Sequence, residues 1–241
     1  IKHCFFSRKN GFSKDKYKSL NCGLGSNDKK EDILKNLNFV SKKIGCKNDF
    51  LITLNQKHTS DVIYFKNIQS VKNKLTGDAI VTKINNIGIG VLTADCVPIL
   101  LYDPIKKIIG CIHSGWKGAL SGVIKNTINK FREMDSNTDN LVAAVGPCIK
   151  TESYEVKSDF YKKFINKSNF NKKFFIIDHK GKYFFDLRGF VNKEISDSNV
   201  KNIENIEIDT FSDQENFYSY RRSSTMGEKD YGRCISVILM T

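Results

Sequence analysis

Two short stretches concentrate the groups able to do chemistry. Thr93-Ala94-Asp95-Cys96 runs directly into the apolar segment Val97-Pro98-Ile99-Leu100-Leu101-Tyr102, and Ile108-Ile109-Gly110-Cys111-Ile112 runs into His113-Ser114-Gly115-Trp116. A third group, His58, sits in Leu54-Asn55-Gln56-Lys57-His58-Thr59-Ser60-Asp61. Two imidazoles and a thiolate form a borderline-soft set suited to zinc or copper. Three protein ligands leave a fourth position open, the mark of a catalytic rather than a structural zinc site. The same residues permit a metal-free reading, with Cys96 as nucleophile, His113 as its base and Asp95 or Gln56 orienting the pair. An acid beside Cys96 favours the protonated thiol, which weighs toward the metal. His3 and His179 lie in Lys-rich surroundings with no second ligand type at metal-site spacing.

Other polar stretches suit substrate binding. In Phe5-Phe6-Ser7-Arg8, the arginine stands at a strand-to-loop junction where it can hold an anion. Phe217-Tyr218-Ser219-Tyr220-Arg221-Arg222 joins aromatics to paired arginines, a combination that can stack a planar ring and grip phosphate, or serve as ordinary packing.

The elements that must position these groups follow from periodicity. The β-rich runs Val97–Tyr102 and Ile108–Ile112, bounded by Gly and Pro, predict buried strands joined through a tight Asp103-Pro104 turn. That hairpin brings Cys96 and His113 toward one end. Further strands are expected at 50–54, 62–65, 79–82, 87–92, 141–145, 174–177, 183–185, 203–208 and 234–240. A helix is expected over 28–44, with Asp28 as cap, Glu31 in the capping-box position, Ile33, Leu37, Val40 and Ile44 on one face and Gly45 as its stop. A second helix is expected over 118–134, with Leu120, Ile124, Ile128 and Phe131 in a stripe, and shorter ones over 158–165 and 187–195. Many strands with few long helices, and no regular βα alternation, predict an α+β fold with mixed sheets and helices packed outside them.

The chain has 241 residues, enough for a large core, and nothing marks a boundary within it, so 1–241 is read as one domain. No apolar run reaches the ~18 residues of a membrane span, so no membrane partner is expected. The formal charge of +13 comes from 39 Lys and Arg, but only six are Arg, scattered at Arg8, Arg132, Arg188, Arg221, Arg222 and Arg233. That pattern lacks the arginine-rich face of a nucleic-acid reader, and nucleic acid is not expected as a partner. Seven cysteines without a Cys-x-x-Cys pair predict neither a disulfide framework nor a zinc knuckle, and a reduced cytoplasmic setting is expected.

Taken together, the motifs resemble the laccase-domain, or polyphenol-oxidase-like, family described as purine nucleoside phosphorylases. The resemblance runs through Phe6-Ser7-Arg8 with Gly11 and Ser13, Ser19-Leu20-Asn21 with Gly23, Asn55-Gln56-x-His58, Gly77-Asp78-Ala79, Thr93-Ala94-Asp95-Cys96-x-Pro98, His113-Ser114-Gly115-Trp116-x-Gly118, Gly146-Pro147 with Tyr154-Glu155-Val156, Asp186-Leu187 and Phe217-x-Ser219-Tyr220-Arg221-Arg222. It implies a four-layer α/β/β/α sandwich and a zinc site of His58, Cys96 and His113, with copper an alternative. It implies phosphorolysis of adenosine, inosine and methylthioadenosine to the free base and the (methylthio)ribose 1-phosphate, with adenosine deamination as a side activity. Purine nucleosides and phosphate are then the partners. Arg8, Asn21, Gln56 and Arg221 are candidate substrate contacts, with Arg221 or Arg222 able to hold phosphate beside Arg8, and Asp95 joins the metal set as a catalytic residue, it or a metal-bound water protonating or polarising the base. Members are also described as copper-dependent phenol oxidases, but a multicopper site needs more imidazoles than four histidines supply. Two departures stand out: Asp209-Thr210 replaces a Cys-Thr of relatives, and the segment before the last strand, Ser223 to Arg233, is longer. The alternatives left open are a metal-free cysteine hydrolase and a non-catalytic binding protein.

Overall fold

Alternating side chains along each strand build two facing sheets. The computed structural model describes residues 1–47, 50–67 and 75–241. Strands β3 (Val62–Phe65), β4 (Ala79–Thr82), β6 (Val97–Asp103), β7 (Ile108–Ser114), β8 (Val142–Val145) and β12 (Asn202–Asn205) form a six-stranded sheet in the order β12-β8-β6-β7-β4-β3. Strands β1 (Lys2–Phe5), β2 (Leu51–Thr53), β5 (Gly88–Thr93) and β13 (Cys234–Leu239) form a four-stranded sheet in the order β1-β13-β5-β2. Both are mixed: β3/β4, β12/β8 and β2/β5 pair in parallel, the remaining neighbours antiparallel. A small sheet, β10 (Phe175–Ile177), β11 (Tyr183–Phe185) and β9 (Glu155–Val156), completes the set.

The period of two sorts the core into layers. Between the sheets lie Ile80, Leu100, Ile109 and Cys111 from one side and Ile89, Val91 and Ile238 from the other. The opposite parity of the larger sheet, Ala79, Val81, Val97, Ile99, Leu101, Ile108 and Ile112, packs on helices α2 (Trp116–Ser121), α3 (Val123–Arg132) and α5 (Leu187–Asp197). The opposite parity of β13, Ile235, Val237 and Leu239, packs on Val40 and Ile44 of α1 (Lys30–Ile44). The result is helix, sheet, sheet, helix, the four-layer mixed arrangement expected. Each fully buried aliphatic side chain contributes about 1.5–3 kcal/mol.

Two expectations are corrected. The helix read over 118–134 is two helices, because Gly122 has φ +91°, a left-handed conformation that no helix passes through. Leu120, Ile124, Ile128 and Phe131 still face one core, so their spacing conceals the break. Asp28 does not cap α1. Lys29 holds that position without a side-chain bond, while Asp28 accepts from the Asn21 amide and the Lys29 N–H. Gly45 does end α1, at φ +90°, its N–H donating to the Ser41 carbonyl. Helix α4 (Ser158–Lys167) lies close to the expected span, and α6 (Tyr220–Thr225) and the two-residue β9 are too short to show a period. Among the described residues no helix is long and apolar enough to cross a membrane, and all seven cysteines are unpaired.

Candidate functional site

Strand register brings the reactive groups to one edge. Pro98 pairs with His113 across β6 and β7, so Cys96 lies just beyond this pair, and the β4–β7 ladder puts Asp78 beside His113. Cys96, Asp78 and His113 share the parity of Leu100, Ile80 and Cys111, so all three belong to the layer between the sheets. The turn linking the two strands is held by Asp103, whose carboxylate accepts from the N–H groups of Ile105 and Lys106. Residues Ala94 to Cys96 carry the chain from β5 of one sheet to β6 of the other. The site therefore occupies the mouth of the inter-sheet layer, where the chain changes sheets.

Asp78 organises it. Its carboxylate is fully buried and accepts from the backbone N–H groups of Lys57 (3.1 Å), His58 (2.9 Å) and Thr59 (2.7 Å), and from the Thr59 hydroxyl (3.0 Å). His113 Nδ1 lies 2.8 Å from Asp78 Oδ1. An ionised carboxylate only accepts, so Nδ1 carries the proton and Nε2 keeps a lone pair for an ion. One side chain thus turns the His113 ring and shapes the His58 loop, where His58 itself takes the left-handed φ of +59°. Burial opposes the Asp78 charge, but His113 and these donors outweigh it and hold the group well below the usual carboxylate range. Neither Asp95 nor Gln56 orients His113. The Gln56 amide instead pairs with both backbone groups of Leu92, at 2.7 and 2.8 Å.

The ligand-type atoms of His58, Cys96 and His113 lie within 4.8 Å of one another, with Cys96 Sγ 4.0 Å from His58 Nε2. Tetrahedral bonds to zinc place such atoms about 3.3–3.6 Å apart, so the side chains need draw together by only about 1 Å. Gly115 leaves room for this: a Cβ there would stand 2.8 Å from Cys96 Sγ and 2.9 Å from His58 Cδ2. The donor chemistry and the space both fit a metal ion. Burial opposes ionisation of Cys96 and His113, yet each overcomes it through the other: the thiol is pushed down and the imidazole up, Asp78 adding to the latter.

Asp95 bonds away from His113. It accepts from the Thr210 hydroxyl (2.8 Å), the Ser219 hydroxyl (2.9 Å) and the Arg221 N–H (2.6 Å), so its carboxylate is turned to the 210–221 segment. It does not hold the Cys96 thiol protonated. Burial raises the Asp95 pKa despite its three donors, and its φ of +81° marks a second strained residue here.

Two cavities meet at His58 and Cys96, and His113 lines the smaller one. The larger, about 900 Å³, includes Asp95, Trp116, Tyr154, Phe160, Tyr220 and Arg221 in its lining. A smaller one, about 330 Å³, includes Gln56, Lys57 and Arg233. His58, Ala94, Cys96 and Tyr231 border both. Arg221 reaches the larger cavity, with Nη1 donating to the Glu155 carbonyl. Arg8 and Asn21 are not among the lining residues. Arg8 donates to the carbonyls of Lys18, Gln214 and Lys16 and stacks on Tyr218, and Asn21 is fully buried with bonds to Ser26, Asp28, Gly23 and Arg233. Arg222 donates to the carbonyls of Thr210, Phe211 and Phe217. These bonds of Arg8 and Arg222 go to loop carbonyls, and those of Asn21 to two side chains and two backbone N–H groups. Asp78 had been only a fragment of a motif; its signal was an acid directly before a fully buried strand.

Comparisons with known proteins bear on the fold and the family. The hypothetical protein YfiH of Bacillus licheniformis superposes with a TM-score of 0.91 at 24% identity, over 99% of this chain and 92% of that one, a likeness of fold. Protein NMB0706 of Neisseria meningitidis gives 0.86 at 27% identity, over 98% and 92%. A purine nucleoside phosphorylase of Rickettsia conorii is 37% identical over 191 residues, 79% of this chain and 78% of its own. One from Rickettsia prowazekii is 35% identical over 210 residues, 87% and 85%. The profile of the multi-copper polyphenol oxidoreductase laccase family matches residues 2–241, and the chain belongs to that family.

Proposed function

We propose that the protein is a zinc-dependent purine nucleoside phosphorylase, converting a purine nucleoside and phosphate to the free base and ribose 1-phosphate. The observation that carries this reading is the convergence of His58, Cys96 and His113, two of which, His58 and Cys96, stand at the wall of an aromatic-lined cavity. The relatives named purine nucleoside phosphorylase support it. Among the described residues these three form the one group suited to a metal, which favours a single ion over a multicopper centre.

His58 Nε2, Cys96 Sγ and His113 Nε2 would hold the ion, and zinc there supplies Lewis-acid polarisation at a fourth position. The protein's own groups do the rest. Trp116, Tyr154 and Tyr220 give the cavity an aromatic lining suited to a flat purine, and Tyr220 is 53% exposed. Arg221 sits above the Tyr154 ring at 5.2 Å and adds positive charge beside that surface. Asp95, buried and more basic than an ordinary carboxylate, can carry a proton to the departing purine nitrogen while Thr210 and Ser219 turn their hydroxyls to suit either state. Adenosine, inosine and methylthioadenosine all present this leaving group, and deamination at C6 would use the same ion.

The test is base release from inosine and from adenosine by zinc-loaded protein, with and without phosphate. Hypoxanthine or adenine formed only with phosphate, and lost with a chelator, is the expected result. Activity that survives chelation but not thiol alkylation would instead favour the cysteine hydrolase, and no base release under any condition would overturn the proposal.

A further inference from the structure

The smaller cavity has no part yet in this reaction, although it shares a wall with the larger one at the metal ligands. Two cations line it, each within two or three residues of a ligand. Lys57 precedes His58. Arg233 precedes Cys234, which pairs with Thr93, so Arg233 stands opposite Ala94, two residues from Cys96.

Both retain unused donors. The Lys57 ammonium has no hydrogen-bond acceptor or carboxylate partner among the described residues. Arg233 Nη1 donates to the Tyr231 carbonyl at 3.0 Å, and Nη2 stands 3.7 Å from Asp230 Oδ1. Its guanidinium also lies over the Tyr231 ring, 4.3 Å from the centroid, and two bonded groups leave part of its five N–H donors free. The other Asp230 oxygen already accepts from the Tyr17 hydroxyl and the Asn27 N–H. The arginines that looked best for phosphate in the sequence, Arg8 and Arg222, each give three bonds to backbone carbonyls and line neither cavity.

We infer that the smaller cavity is the inorganic phosphate subsite, with Lys57 and Arg233 as its cationic ligands and the nucleoside base in the larger cavity. The inference rests on the phosphorylase reading. Displacement at C1′ needs nucleophile and leaving group on opposite sides of the ribose. Two cavities that share His58, Ala94, Cys96 and Tyr231 in their linings offer one chamber for each group. An oxygen lone pair of hydrogenphosphate forms the C1′–O bond, and the C1′–N9 pair leaves with the purine. The proton of hydrogenphosphate balances the one gained by the base, so ribose 1-phosphate leaves as the dianion.

Zinc-loaded full-length protein carrying Lys57→Gln, Lys57→Arg or Arg233→Gln tests this. Lys57 gives the cleaner variant, since its side chain supports no other group, whereas Arg233 also braces Tyr231. In Lys57→Gln the KM for phosphate should rise about tenfold, the worth of one charge-assisted bond, with the KM for inosine within about twofold, and Lys57→Arg should recover most of the loss. Calorimetric titration with inorganic phosphate alone should show the same weakening, without reference to turnover. Phosphate KM and calorimetric affinity unchanged in both glutamine variants would overturn the subsite. So would binding of adenosine 5′-monophosphate that depends on Lys57 while binding of free phosphate does not, since the cations would then serve a nucleotide. A wild-type protein that binds phosphate through Lys57 but releases no base would sink the phosphorylase reading and leave the anion site standing.

Discussion

Asp78→Asn is the most discriminating perturbation of the metal centre, because it preserves shape and removes only charge and acceptor capacity. Oδ1 faces the His58 N–H and His113 Nδ1, and Oδ2 faces the N–H groups of Lys57 and Thr59. An amide NH₂ in the Oδ2 position would confront two backbone donors that cannot change. In the Oδ1 position it confronts one, the His58 N–H, and His113 can adapt by moving its proton to Nε2. The amide should therefore settle at Oδ1, and the tautomer it selects removes the lone pair that binds the ion. The unsatisfied His58 N–H costs about 1–3 kcal/mol of folding stability. Loss of an orienting carboxylate of this kind costs about 10–100-fold in metal affinity. Urea unfolding of the metal-free protein measures the first, and zinc competition against a chromophoric chelator measures the second. Zinc affinity within about twofold of wild type, in a folded variant, would refute the claim that Asp78 sets the His113 tautomer.

Other consequences are equally direct. Gly115→Ala keeps an ordinary backbone, at φ −77°, but its methyl would crowd Cys96 Sγ and His58 Cδ2; zinc affinity should fall at least about tenfold while the unfolding midpoint moves little. Gly122→Ala meets open space but must hold φ +91°; it should cost about 1 kcal/mol of stability and leave zinc affinity unchanged. Zinc affinity should rise with pH. His113 is raised to about 9 and Cys96 lowered to about 7 in the metal-free site, so binding must expel one proton between these values and two below them. Competition titrations should show a slope of about tenfold per pH unit in the upper window and about a hundredfold in the lower; a flat profile would contradict the imidazolium–thiolate pairing. In the absence of metal the two shifts act oppositely on stability: the His113 contribution is lost as pH rises through about 9, and the Cys96 contribution is lost as pH falls through about 7.

Arg8 and Asn21 show how a motif residue can be essential to a loop rather than to a ligand. Arg8 ties residues 16, 18 and 214 together through carbonyls, and Asn21 bonds on both amide faces. From the sequence, a charged side chain beside a strand reads as an anion site because nothing local reveals the carbonyls that will surround it. Those acceptors come from segments as distant as Gln214. Lys57, by contrast, looked like one lysine among many, and its lack of a partner emerges only once every nearby carboxylate has a place.

Residue chemistry and strand periodicity, both local, were readable along the chain. The soft donor set of His58, Cys96 and His113, the hairpin that aligns two of them, and an α+β architecture with mixed sheets and helices outside them all follow from residue type and from spacing of two or 3.6. Tertiary structure decided the rest, because it joins positions that no local pattern relates. The β4–β7 ladder made Asp78 the group that orients the His113 ring and holds the His58 loop, the crossing between sheets placed Cys96 where the chain changes sheets, and a left-handed glycine divided a helix whose apolar stripe ran on unbroken.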